Sequence, residues 1–484
     1  MKKYPTTIFC IGVILILFIS GCATIYPRVD GHGMPQFTYN YRVPEVTGDG
    51  WEISSLNAEG VEQEKIEELI QNILNRKFKN IQSVLIVKNG KLVLDEYFYE
   101  FNRDKMHQLR SATKSITSIL VGIAKDQKLI NSVDQKLYEI FPEYEEIDWS
   151  SPKDKITIKH VLTMSAGLEW NEWAYADSDS RSSIYGMVRS DDWIRFVLGR
   201  RAIHSPGEIF NYSSGLSLVL GEIIKKKTEF YANDYARKYL FGPLGISEYS
   251  WQKGPGGMVY TSGGEKGLWL RPRDMAKIGF LYMNKGNWKG RQIVSAEWVK
   301  ESTQPHLKAF FGGSEYGYQW WRGEKGIEDG NIRVYYAAGH GGQYIFVCPS
   351  LDLVTVFTSK VYGNPLGVVR PQVAMVDYII PSIISLQPSK INNVLVSTMR
   401  SNFIGTYECK NLKVKLKIFE EGNDLYCKVF RERTKMFYKS DNQFIGNLDK
   451  IGDVQFKFFR NEDEDIDNVL IKIGFSILQF KKMV

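Results

Sequence analysis

The first sustained apolar run, Ile8 to Ile19, follows Lys2 and Lys3 at the start of the chain. It is too short to span roughly 30 Å of hydrocarbon and suits the apolar core of an export signal. Residues 23–60 are rich in Gly, Pro, Asn and Asp and hold no period, which predicts a tether. From about residue 61 the pattern changes. Ile66, Leu69, Ile70 and Ile73 recur at i, i+3, i+4 and i+7, the mark of an amphipathic helix. The runs Ser83–Lys88 and Lys91–Leu94 then flank Asn89-Gly90, the strongest short signal for a hairpin.

The stretch 115–280 reads as mostly helical, broken by Gly and Pro turns. Strand patterns return at Tyr316–Trp321, Arg333–Ala337, Tyr344–Val347 and Leu353–Thr358, and a last helix-like segment runs from about Gln372 to Ile384. Beyond 401 the texture is different. Val414–Phe419, Asp424–Phe430, Val454–Phe459 and Val469–Ile473 are short alternating segments separated by Gly, Asn and Asp. They predict a small antiparallel barrel or sandwich. The expected organisation is therefore a leader (1–21), a tether (22–60), a large α/β body (61–388) and a small all-β module (401–484).

Composition narrows the function. The chain has 484 residues with 43% hydrophobic and 24% charged, which is ordinary for a globular protein. A formal charge of +7, with acids interspersed among the bases, gives no basic stripe for nucleic acid. The histidines at 32, 107, 160, 204, 306 and 340 never fall at HxH or HExxH spacing, and the 5 cysteines form no CxxC pair. No metal site and no cofactor are expected.

Ile19-Ser20-Gly21-Cys22 closes the leader and resembles the lipobox of bacterial lipoproteins. The resemblance implies that Cys22 is lipidated and becomes the mature N-terminus, holding the protein on a membrane of the cell envelope and facing outside the cytoplasm. An ordinary export signal with an incidental cysteine is the other reading. After Cys22 there remain Cys348, in an apolar strand and so expected to be buried, and Cys409 and Cys427. Export permits a disulfide, and the last two would meet if their strands were neighbours. The spacing leaves the pairing open.

Candidate chemistry begins at Ser111. Ser111 and Lys114 stand three apart at the start of a helix whose apolar face is Ile116, Ile119, Leu120 and Ile123. That places them about one turn apart on one side. A serine hydroxyl needs a base to attack a carbonyl, and a desolvated lysine amine can serve. The spacing alone is weak, since Ser150/Lys153 and Ser250/Lys253 match it too, but those pairs sit in polar or Gly/Pro-flanked turns. A second element, Pro206 to Gly215, places Tyr212 at a loop-to-helix junction suited to a proton shuttle. Among 27 tyrosines it reads equally well as a half-buried aromatic. The third, Ala338-Gly339-His340-Gly341-Gly342-Gln343, enters an apolar strand and offers close backbone approach to a ligand or simply a glycine bulge at a sheet edge.

In order and context the three elements resemble the serine β-lactamase and penicillin-binding-protein-like hydrolases, in their class C and esterase branch. Pro206–Gly215, with Tyr212-Ser213-Ser214, is most similar to the 6-aminohexanoate-dimer-hydrolase-like group. Ile158–Glu169, Gly267–Gly279 and Tyr316–Trp321 add to the likeness, which spans roughly 80–385. It implies an antiparallel sheet flanked by helices, with a mostly helical subdomain at about 125–270 and the site between them. It also implies Ser111 as nucleophile, Lys114 as base, Tyr212 as proton relay, and the backbone N–H groups of Ser111 and Gln343 as an oxyanion hole. The module from 401 resembles, more loosely, the lipocalin-like domains appended to some of these hydrolases.

Two departures bear on the substrate. His340-Gly341-Gly342 stands where penicillin-recognising relatives carry Lys-Thr-Gly, and Ser214 stands where many carry Asn. Ser214, His340, Gly341 and Gly342 are the expected substrate-binding positions. Trp170, Trp173, Trp269, Trp320 and Trp321 are candidates for an apolar acyl pocket or for the core. The leading expectation is a membrane-tethered hydrolase of a small carboxylic ester or amide. The alternatives are a penicillin-binding peptidase or β-lactamase, and a non-catalytic sensor on the same fold.

Overall fold

The computed structural model describes residues 38–172, 179–264, 266–309, 314–327, 330–361 and 370–384, and the strands between 404 and 483 with interruptions. The expected leader, Cys22 and Trp173 lie outside the described residues.

Among the described residues, nine strands form one sheet at the centre of the body. The Asn89-Gly90 hairpin seeds it: Ile81–Lys88 pairs antiparallel with Lys91–Tyr97, and both turn residues take the positive φ (52° and 79°) that such a turn requires. Leu353–Ser359 pairs with the other side of Ile81–Lys88, followed by Gln343–Cys348, Gly330–Gly339 and Trp321–Ile327. Every residue of Ile81–Lys88 is buried. Its nearly continuous apolar run makes sense because both sheet faces are covered. Leu85 and Val87 face a core shared with the helices Thr113–Asp126, Ser214–Thr228 and Pro272–Met283. Val84 and Ile86 face a second core with Gln63–Leu74 and the helical segment Arg370–Ile384. The result is three layers, helix, sheet and helix.

Three expectations change. The stretch read as a tether is ordered on the body from Thr38 onward: Leu56 is fully buried, Tyr41 donates to the Val93 carbonyl, and Glu52–Ile53 pairs with Lys91–Leu92. Burial of Trp51 and Leu56 outweighs the Gly- and Pro-rich composition that suggested a loose segment. The strand expected at Tyr316–Trp321 is two, Glu315–Tyr316 and Trp321–Ile327, joined through Gln319 at a positive φ of 62°. Cys409 and Cys427, finally, are free thiols on strands that each flank Val414–Glu421, so they are not neighbours. Two strand spacings, about 9.6 Å, exceed the reach of a disulfide. Cys348 is buried as expected.

Among the described residues between 405 and 482 there are eight antiparallel strands, and the last, Ser476–Lys482, pairs back onto the first, Gly405–Cys409. Tyr407, Leu416, Ile418, Cys427 and Val469 form their shared core.

Candidate active site

Ser111 sits in a tight turn, Arg110–Ala112, that runs directly into the helix Thr113–Asp126. Because the helix starts at once, Lys114 rises one turn above Ser111 and its Nζ lies 3.2 Å from Ser111 Oγ. Lys114 is only 2% exposed. Its amine also reaches the Ser262 carbonyl at 2.5 Å and Ser214 Oγ at 3.1 Å. The Tyr212 ring closes the group, its centroid 4.9 Å from Lys114 Nζ, and it stacks on Trp321 at 6.0 Å. The hydroxyl and amine, neighbours on one helix turn, therefore converge with a phenol ring from about a hundred positions further along the chain.

Local structure explains the convergence. Ser213 caps the helix Ser214–Thr228 by accepting from Leu216 N–H. That fixes Tyr212 just before the helix and Ser214 as its first residue. The loop carrying Ser262 is stapled between the two site helices: Thr117 donates to the Thr261 carbonyl, and Thr261 donates to the Ser217 carbonyl.

One functional group was not found by sequence reasoning. Glu172 accepts from Ser214 N–H at 2.7 Å and Trp170 Nε1–H at 2.8 Å through one oxygen, and its other oxygen lies 2.6 Å from Ser214 Oγ. The carboxylate satisfies an otherwise unpaired N–H at a helix start, where negative charge is favoured. Glu172 is a loop acid 42 positions from Ser214, and no periodicity links the two. The nearest signal was its place just beyond the motif Ile158–Glu169. Tyr316 packs close by, and burial, with Tyr212 and Glu172 adding to it, pushes its phenol well above the ordinary value.

The expected substrate positions divide. Ser214 is 9% exposed, and its hydroxyl is held between Lys114 and Glu172. His340 is exposed at the turn before Gln343, and Gly341 and Gly342 are buried. Gly339 pairs with Gln343, and a Cβ on Gly339 would lie 2.1 Å from the Leu109 carbonyl oxygen. The start of the Gln343 strand is thereby pressed against the Ser111 turn, and the Gln343 side chain is tied to the Ser359 backbone. Of the tryptophans, Trp320 is core, stacked on Tyr282, whereas Trp321 lies beside Tyr212.

A serine hydroxyl paired with a buried amine, set between a helical layer and a mostly antiparallel sheet, defines a serine hydrolase on a mixed α/β fold. Residues 74–376 match the family described as Beta-lactamase, and the chain belongs to that family. It is 26% identical over 295 residues to a 6-aminohexanoate-dimer hydrolase of Paenarthrobacter ureafaciens, covering 57% of this chain and 71% of that protein. Among solved structures, the fold resembles EstCE1, a hydrolase with promiscuous acyltransferase activity (TM-score 0.54, 14% identity, 66% of this chain and 100% of that one). It also resembles a family VIII carboxylesterase (TM-score 0.51, 16% identity, 66% and 97%).

Proposed function

We propose that this protein hydrolyses a small carboxylic ester or amide through an acyl-enzyme on Ser111, while anchored to a membrane by a lipid on Cys22. The observation that carries the chemistry is the Nζ of Lys114, a residue only 2% exposed, at 3.2 Å from Ser111 Oγ. Lys114 takes the Ser111 proton as Oγ bonds to the substrate carbonyl carbon. The resulting oxyanion is received by the backbone N–H groups of Ser111 and Gln343. As the carbon–oxygen or carbon–nitrogen bond breaks, the proton passes from Lys114 by way of Tyr212 to the leaving group. Water then attacks the acyl carbon and gives a proton to Lys114, the bond to Ser111 Oγ breaks, and Lys114 returns that proton to Oγ as the acid leaves.

The names of the similar proteins, a 6-aminohexanoate-dimer hydrolase and a family VIII carboxylesterase, support this substrate class. The exposed His340 replaces the fixed cation that penicillin-recognising relatives use for a carboxylate, so nitrocefin turnover is expected to be negligible beside that of short-chain esters.

A fluorophosphonate probe followed by mass spectrometry should place the adduct on Ser111, and Ser111→Ala should abolish it. No adduct on the wild type would refute the reading. The anchor has its own test. Among the described residues no helix is long and apolar enough to cross a membrane, and the lipobox-like Ile19–Cys22 supports attachment by acyl chains. The full chain expressed in a bacterium should partition into detergent, and Cys22→Ser should move it to the aqueous phase.

A further inference from the structure

Three hydrogen-bonding neighbours surround Lys114 Nζ, and their chemistry dictates the direction of each bond. The Ser262 carbonyl oxygen, at 2.5 Å, only accepts. Glu172 already receives two N–H donors, from Ser214 and Trp170. A carboxylate facing donors on every side acts as a pure acceptor, so the single hydroxyl proton of Ser214 runs to Glu172 Oε1, 2.6 Å away. Ser214 Oγ then meets Lys114 Nζ, at 3.1 Å, as an acceptor. In the neutral form that the proposed reaction requires, the Lys114 amine has two N–H bonds and one lone pair. Ser214 and Ser262 take the two N–H bonds. The lone pair is left facing Ser111 Oγ at 3.2 Å.

We infer that Glu172 is a positioning residue for the reaction proposed above: acting through Ser214, it aims the lone pair of Lys114 at Ser111. The balance of the step follows. The Ser111 O–H bond breaks, an N–H bond forms on Lys114, and the electron pair of Oγ becomes the bond to the acyl carbon. The new ammonium has three N–H donors and three acceptors already in place: Ser214 Oγ, the Ser262 carbonyl and the former Ser111 hydroxyl oxygen. Nothing has to rotate.

Glu172→Gln keeps the side chain's size and reverses the relay. Its amide has one acceptor oxygen, which the N–H groups of Ser214 and Trp170 both require. The amide NH₂ must therefore face Ser214 Oγ. Ser214 then turns its own proton toward Lys114 and occupies the lone pair that Ser111 needs. Removing the Ser214 hydroxyl as well frees that lone pair again.

The inference rests on the serine-hydrolase reading, and one experiment separates the two. The readout is the second-order rate constant for fluorophosphonate capture of Ser111 in full-length wild type, Glu172→Gln, Ser214→Ala and the double variant, with thermal melting of each. An unlabelled wild type would overturn the parent reading, and this inference with it. With a labelled wild type, Glu172→Gln should slow capture about 100-fold or more, the scale of lost general-base catalysis. The double variant should react at the Ser214→Ala rate, at least about tenfold faster than Glu172→Gln alone. A glutamate that merely supports the loop predicts the opposite, a double variant slower than either parent. That result, or Glu172→Gln labelling within about threefold of wild type, would overturn the inference. If Glu172→Gln does not fold, Ser214→Ala and the double variant suffice: equal rates support the relay, and a further tenfold loss (about 1.4 kcal/mol) refutes it.

Discussion

Gly263 and Arg110 meet backbone to backbone beside Ser111: a Cβ on Gly263 would lie 2.2 Å from the Arg110 carbonyl oxygen and 2.9 Å from Ser111 N. Gly263 also holds φ at +95°, and its neighbour Ser262 supplies the carbonyl that fixes Lys114. Backbone strain and overlap together should cost roughly 2–4 kcal/mol on Gly263→Ala. Because the overlap falls on the Ser111 turn, hydrolytic rate should drop further than the loss of folded protein explains. Chemical denaturation measured beside the rate constant on the folded fraction checks this. An unchanged rate per folded molecule would mean that the close approach does not set the geometry of Ser111.

Tyr212→Phe keeps the ring that stacks on Trp321 and removes only the phenol oxygen. Stability should stay within about 0.5 kcal/mol, while kcat for an amide falls about 10²–10⁴-fold, the usual worth of one proton-transfer group. Activated esters, whose leaving groups need no proton, should lose much less. Comparing an anilide with a nitrophenyl ester of the same acid measures the difference, and equal losses on both would exclude a relay.

Arg273 is 4% exposed, and its guanidinium bridges Asp95 at 2.6 Å, Asp49 at 3.2 Å, the Thr47 hydroxyl at 2.8 Å and the Glu45 carbonyl at 2.9 Å. It clamps the 45–49 segment onto the body. Arg273→Met should cost about 3–5 kcal/mol, because it leaves Asp95 buried without its cation. Proteolysis should then begin within residues 38–56, as followed by the N-terminal sequences of the fragments. Cleavage confined to other loops would count against the clamp.

A pH dependence is built into the same segment. Burial raises the Glu96 carboxyl to about 7, with Asp95 adding to it and the Tyr39 hydrogen bond and Arg42 opposing. A carboxyl raised on folding stabilises the fold fully below its unfolded value near 4.5, and that stability is lost as the pH rises through about 7. The loss should be on the order of 1–3 kcal/mol. Denaturation midpoints measured from pH 4 to pH 8 should fall over this window in wild type and stay flatter in Glu96→Gln. Parallel curves would show that Glu96 titrates normally.

What was legible in the chain and what was not divides by distance along it. Asn89-Gly90 announced the hairpin because a two-residue turn is decided by its own φ angles. Ser111 and Lys114 were legible as a pair because a helix brings positions three apart onto one side whatever surrounds it. Tyr212 was visible at its loop-to-helix junction, but only the resemblance of its loop set it apart from an ordinary half-buried aromatic. Composition misled at residues 38–60, where a few buried side chains outweigh many turn formers.

The sequence by itself therefore determined the central hairpin, the pairing of Ser111 with Lys114, and the all-β texture after residue 401, since each depends on residues close together in the chain. The tertiary structure alone decided that Ser214 turns inward, that Glu172 reaches it across 42 positions, and that Cys409 and Cys427 lie on strands separated by a third. The physical reason is that hydrogen-bond direction and strand order are set by which groups meet in space. A loop carboxylate leaves no periodic trace of the partner it will find.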